Sequence, residues 1–132
     1  KKIQIEARVL GDLAMNHILP VATACQSRLI DAVYKMKGLF AEEKSARLTR
    51  ENLKLIEEIG ERVLFITEHV DAMVEARKVA NKITDEREKA IAYHDHIAPM
   101  LEEIRYHVDK LELIVDNEKW TLPKYSELLF IQ

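Results

Sequence analysis

Little in this chain can staple a fold or break one. A single cysteine, Cys25, makes an internal disulfide impossible, which fits a reducing compartment. Three glycines and three prolines among 132 residues are too few for the many turns of an all-β protein. Aromatic residues make up only 6%, so Trp120 and Tyr125 read as packing anchors rather than as a ligand box. The net charge of −3 and pI near 6.0 lack the basic footprint that phosphate neutralisation requires, which excludes nucleic acid as a natural partner. No apolar run approaches the roughly 20 residues that span a bilayer, and the first residues do not have the layout of a signal peptide. Gly-rich phosphate loops, nucleophile elbows and Cys-x-x-Cys pairs do not occur.

What is present is helix. Hydrophobic residues are 48% and charged residues 33%, the balance of an all-α domain, and 132 residues suffice for one domain with its own core (1–132). Ile3, Ala7, Leu10, Ala14, Ile18, Val21, Cys25, Leu29, Ala32 and Met36 recur at three- and four-residue steps, one face of an α-helix. Cys25 lies on that stripe and is expected to be a small buried core residue. Pro20 falls nearly opposite, where its missing N–H and its clash with the Asn16 carbonyl would bend the helix around the stripe. The stripe is already running at Ile3 with no Met, cap or turn ahead of it, which leads us to expect a domain severed from something longer.

The first helix should run to about Lys37, with Gly38 as its C′ residue. A connector, 39–48, has room for a helical turn in AEEKSA, and Thr49 is the natural N-cap of a second helix. Ile56, Ile59, Val63, Ile66, Val70 and Met73 form a heptad-like seam there. A break at 81–84 leads to a third helix, capped by Thr84 or by an Asp85–Glu88 capping box. Its seam is Ala90, Ile97, Leu101, Ile104, Val108, Leu111 and Val115, and Pro99 points away from it. A polar turn, 116–119, should end this helix, and Thr121 or Leu122 should cap a short C-terminal one with Pro123 in its first turn, setting Tyr125, Leu128 and Leu129 on one side. The expected architecture is a bundle of three long, proline-bent helices plus that short helix.

Candidate chemistry is sparse. Five histidines raise the question of a metal, but the Glu-x-x-His spacing that converges di-iron ligands is absent, and His94 and His96 face different ways on a helix. Surface or partly buried histidines are the better reading, with no metal site. His107-Val108-Asp109-Lys110 is similar to the phosphoacceptor motif of histidine phosphotransfer bundles, although Leu111 stands where that family favours a small residue. Arg77, Lys78 and Lys82 suit the negative end of a helix dipole. Glu58 and Arg62 form an i, i+4 pair. Asn16 and His17 lie where Pro20 disturbs the first helix and could cap freed carbonyls or contact another domain. Val9, Leu13, Met15 and Leu19 spread apolar surface beyond the main stripe, a sign that this helix is covered on more than one side.

Two strings carry a family resemblance: EARVLGDLAMNHILPVA, from Glu6 to Ala22, and ARKVANKITDEREKAIAYHDHIAPMLEEIRYHVDKLELIVDNEKWTLPKYSELLF, from Ala76 to Phe130. They resemble the segment that follows the catalytic domain in type III glutamine synthetases, the large bacterial form. The resemblance implies a C-terminal helical domain with a structural or assembly role, non-catalytic by itself. It implies a cytoplasmic homo-oligomeric parent that joins glutamate and ammonia with ATP and magnesium in nitrogen metabolism. The parent's metal and nucleotide ligands have no counterpart here, so no cofactor is expected in this chain. Its expected partners are the upstream catalytic domain and other subunits, with Leu13, Asn16, His17, Leu19, Trp120 and Tyr125 as interface candidates. The alternatives are a stand-alone phosphotransfer module using His107 and a plain helical adaptor.

Overall fold

The computed structural model describes the backbone of residues 2–131 and the side chains of residues 2–118. Every element among these is helical: α1 (Lys2–Leu13), a π turn (Ala14–Ile18), α2 (Leu19–Leu39), α3 (Glu42–Leu48), α4 (Arg50–Asn81), α5 (Glu86–Ala92), a second π turn (Tyr93–Ile97) and α6 (Ala98–Ile131). The segments 2–39, 50–81 and 86–131 lie side by side. Gln26 Nε2 donates to the Ile56 carbonyl at 2.9 Å and Tyr93 Oη donates to Asn81 Oδ1 at 2.6 Å, so α4 runs antiparallel to both neighbours. The outer two run parallel, because Ile3 shares a cleft with Tyr93 while Ile18 shares one with Leu111 and Val115. Gly60 lets α2 come close: a Cβ there would stand 3.2 Å from Gln26 Nε2.

The core draws on all three segments. Ala14, Ala22, Cys25, Ile59, Ile66, Met73, Ile97, Ile104 and Leu111 are almost fully enclosed. The α4 seam is as expected, with Ile59, Ile66, Val70 and Met73 buried and Ile56 and Val63 packed half-buried beside them. Cys25 is buried as expected, and burial raises its thiol pKa above the ordinary value.

The first stripe departs from expectation after Ala14. Ala22 is buried where Val21 was expected, and Val33 where Ala32 was; Val21 is 39% exposed. The cause is the π turn. The Leu19 N–H bonds to the Ala14 carbonyl, five residues back, so the turn holds one residue more than an α-helical turn and brings Ala22 inward, while Cys25 and Leu29 stay on the buried face as expected. The third seam is as expected from Ile97 to Val115 and departs only ahead of the second π turn. Ala98 N–H bonds to the Tyr93 carbonyl; Ala90 is exposed, and Tyr93, absent from the expected seam, is buried with its hydroxyl on Asn81.

Each π turn ends two residues before a proline, within the related strings Asn16-His17-Ile18-Leu19-Pro20 and Asp95-His96-Ile97-Ala98-Pro99. A proline cannot donate to the carbonyl four residues back, and its ring crowds that carbonyl in a regular α-helix. The wide turn relieves the crowding. Pro20, Asn16, Pro99 and Asp95 are all exposed, so water can reach the carbonyls that lose an α-helical donor.

The segment ends also differ from expectation. Gly38 is not a left-handed C′ residue: no glycine has positive φ among the described residues, and α2 ends at Leu39 with extended Phe40 beyond it. A Cβ at Gly38 would touch nothing within 4 Å. Gly38→Ala should therefore stabilise the chain by about 0.5 to 1 kcal/mol, by restricting the unfolded backbone. An urea midpoint that fails to rise would contradict this.

Thr49 stands at the start of α4 as expected, but its hydroxyl caps nothing there. It donates back to the Ser45 carbonyl at 2.7 Å and so closes α3, the helical turn that AEEKSA suggested. Between α4 and α5, Asp85 rather than Thr84 is the cap, its carboxylate accepting the Glu88 N–H at 3.1 Å. No turn occurs at 116–119. α6 runs through to Ile131, so the separate short helix is not formed. That stretch, Asp-Asn-Glu-Lys, contains neither glycine nor proline to stop a helix, and its polar side chains suit a solvated face. The expected docking of Trp120, Tyr125, Leu128 and Leu129 falls outside the described side chains.

Candidate functional site

Two surfaces stand out. The first is the outer side of α1. Ile5, Val9 and Leu13 follow one another at four-residue steps and are 62%, 60% and 38% exposed, an apolar row on a helix whose other side is core. Beyond the row the π turn is exposed at Met15, Asn16 and His17, with Met15 and Asn16 on the side of α4 and His17 on the side of α6. Leu13, Asn16 and His17 are thus each exposed but do not share one face. Leu19 does not join them, because it is half-buried against the core. Trp120 and Tyr125, the remaining interface candidates, lie outside the described side chains.

The second surface is a cluster between α4 and α6 that sequence reasoning did not assemble. Phe65 stacks on His69, one turn further along α4, at 3.6 Å between ring centroids, and meets His107 of α6 at 3.9 Å with the rings tilted by 34°. Tyr106 meets His107 edge-on at 5.3 Å. Arg62 ties the cluster: its Nε bonds Glu58 at 3.0 Å, the i, i+4 pair expected from sequence, and its Nη1 donates to His107 Nδ1 at 2.9 Å. A guanidinium can only donate, so His107 is held with Nδ1 as acceptor and its proton on Nε2. His69 Nδ1 donates to the Phe65 carbonyl at 2.9 Å, which sets Nε2 towards Glu103 at 3.3 Å. The spacing of His69 and Phe65 on one helix could have suggested a stack. The third ring, His107, comes from a helix whose register relative to α4 only packing fixes.

Burial lowers the pKa of His107 below its ordinary value, helped by the positive charge of Arg62 and by His69 and opposed by Glu103. The sign follows directly. The unfolded chain binds the proton more readily, so this group adds stability above about pH 6.5, the unfolded value, and loses that contribution as pH falls through its folded value. His107→Gln, which keeps an acceptor for Arg62 but does not titrate, should narrow its stability gap to wild type between pH 7.5 and 5. A gap that stays constant in urea titrations would refute the assignment.

No group of three or more His, Cys, Asp or Glu side chains among the described residues is placed to hold a metal ion. No described helix is long and apolar enough to cross a membrane.

Comparison with known proteins decides what kind of domain this is. The family profile described as glutamine synthetase C-terminal domain matches residues 1–37, the stretch that carries the exposed row and the first π turn. A glutamine synthetase of Bacteroides fragilis is 50% identical over 129 residues, 98% of this chain. A type-3 glutamine synthetase of Dictyostelium discoideum is 29% identical over all 132 residues. These matches support a C-terminal domain of a glutamine synthetase. The chain spans 18% of the length of each of these two relatives. For such a domain the outer side of α1 is the more telling surface, since the profile match covers it. The phosphotransfer reading of His107 finds no support in these similarities.

Proposed function

We propose that this chain is a non-catalytic part of a glutamine synthetase, a helical appendage that packs on the catalytic part and supports assembly of the oligomer. The observation that carries the reading is the match of 98% of this chain to 18% of a much longer glutamine synthetase, at 50% identity. The exposed row Ile5, Val9 and Leu13 is the surface offered to that body, with Asn16 and His17 exposed beyond it. Apolar side chains at this spacing stay in water only at a cost that a covering partner removes. Each long segment is taken to curve about the shared core, the outer two at their π–proline turns. Glutamate, ammonia, ATP and magnesium then belong to the catalytic part, in the cytoplasm, and none of them to this chain.

The test compares the full-length enzyme with one lacking this domain, alongside the isolated chain. Sedimentation should show the shortened enzyme as smaller assemblies. The isolated chain should form no glutamine from glutamate, ammonia, ATP and magnesium. Normal assembly without the domain would remove the assembly role, and turnover by the isolated chain would overturn the non-catalytic one. The isolated chain should also self-associate at high concentration through its bare row, and Val9→Glu with Leu13→Glu should abolish this. Leu19 is left intact because it packs on the core.

A further inference from the structure

A groove of about 430 Å³ separates α1 from α4. Buried Ala7 and Met73 lie beneath it, and Gly11 keeps it open, since a Cβ there would meet only the flexible Met73 Cε at 3.8 Å. Arg8 and Asp12 from α1 and Asp71 and Arg77 from α4 line it. None of these four charges forms an ion pair or side-chain hydrogen bond with another described residue. Arg77 is the sharpest case. Its Nε is shut off from solvent and has no hydrogen-bond partner among the described residues. A guanidinium N–H denied both water and an acceptor is costly, and that cost is removed if Arg77 turns within the groove to meet an acceptor supplied from outside the chain. The planar fork of arginine matches the two oxygens of a carboxylate.

Met15 and Val74, each 37% exposed, form apolar edges of the groove, and the row Ile5, Val9 and Leu13 continues along the same helix. We propose that this groove seats a segment of the catalytic part of the same glutamine synthetase, with an acidic side chain of that segment on Arg77 and Arg8 and a basic one near Asp12 and Asp71. The proposal rests on the appendage reading above and specifies its contact. The choice of occupant follows from three observations. Four unmatched charges of both signs call for a segment that carries both. Most of each relative's length lies outside this chain. The glutamine synthetase profile covers the α1 wall of the groove.

Hydroxyl-radical footprinting of the isolated chain and of the full-length enzyme tests it, with Met15 as reporter for the groove. Tyr34 and Tyr106, 76% and 56% exposed and not part of the groove lining, report on other surfaces. Met15 should oxidise several-fold more slowly in the full-length enzyme. Arg77→Met should abolish that protection, yet leave the unfolding midpoint of the isolated chain unchanged or higher, because it deletes an orphaned N–H. Met15 equally reactive in both forms while a tyrosine is protected would overturn the groove and keep the appendage reading. Protection at none of the three would overturn both. Met15 protected equally with and without Arg77 would overturn the carboxylate pairing.

Discussion

Ala22→Glu should unfold the domain or come close to it, whereas Val21→Gln one residue earlier should change stability by no more than about 0.5 kcal/mol. Ala22 is fully enclosed among core residues and Val21 is 39% exposed. A glutamate at position 22 must either bury its charge without a partner or force α2 away from its neighbours. Either costs several kcal/mol against a stability of about 5 to 15 kcal/mol. The contrast tests the π turn directly, because in an uninterrupted α-helix the stripe through Ala14 and Ile18 would put Val21 inside. Paired urea titrations of the two variants check it. A Val21→Gln variant as damaged as Ala22→Glu would mean that the first segment keeps α-helical register through Pro20.

Truncating Ile104 to alanine should cost about 2 to 5 kcal/mol. Ile104 has no solvent exposure and lies in α6 between Leu101 and Val108, both buried on the same face. Removing three carbons there loses their transfer free energy and leaves a cavity that rigid neighbouring helices can fill only in part. Neighbouring Glu103 is exposed, and Glu103→Ala should change stability by no more than about 0.5 kcal/mol. A denaturation midpoint for Ile104→Ala close to wild type would mean that α6 repacks freely, contrary to a core drawn from three segments.

Fold class, the α4 seam and the positions of Cys25, Thr49 and both prolines were legible in the sequence, because helical periodicity is a local property. The side chains that face inward on a regular helix are set by 3.6 residues per turn. Family membership was legible too, in two strings whose composition is unusual enough to be specific. The expected register held beyond Pro99, where Leu101, Ile104, Val108, Leu111 and Val115 are all buried, and at Cys25 and Leu29 beyond Pro20. It failed beside the π turns, at Val21 and Ala90, and again at Ala32. Proline signals a disturbance but not its form, and a wide turn changes which side chains beside it face inward where a simple bend does not. That choice belongs to packing: Ala22 rather than Val21, and Tyr93 rather than Ala90, are the side chains that fit against the neighbouring helices. The same holds for the stacked cluster and the charged groove. His107 reaches Phe65, and Arg77 comes to line a groove with Arg8, through side chains distant in sequence. Periodicity names the face each helix presents, and only the packed helices decide which residue of another helix lies opposite it.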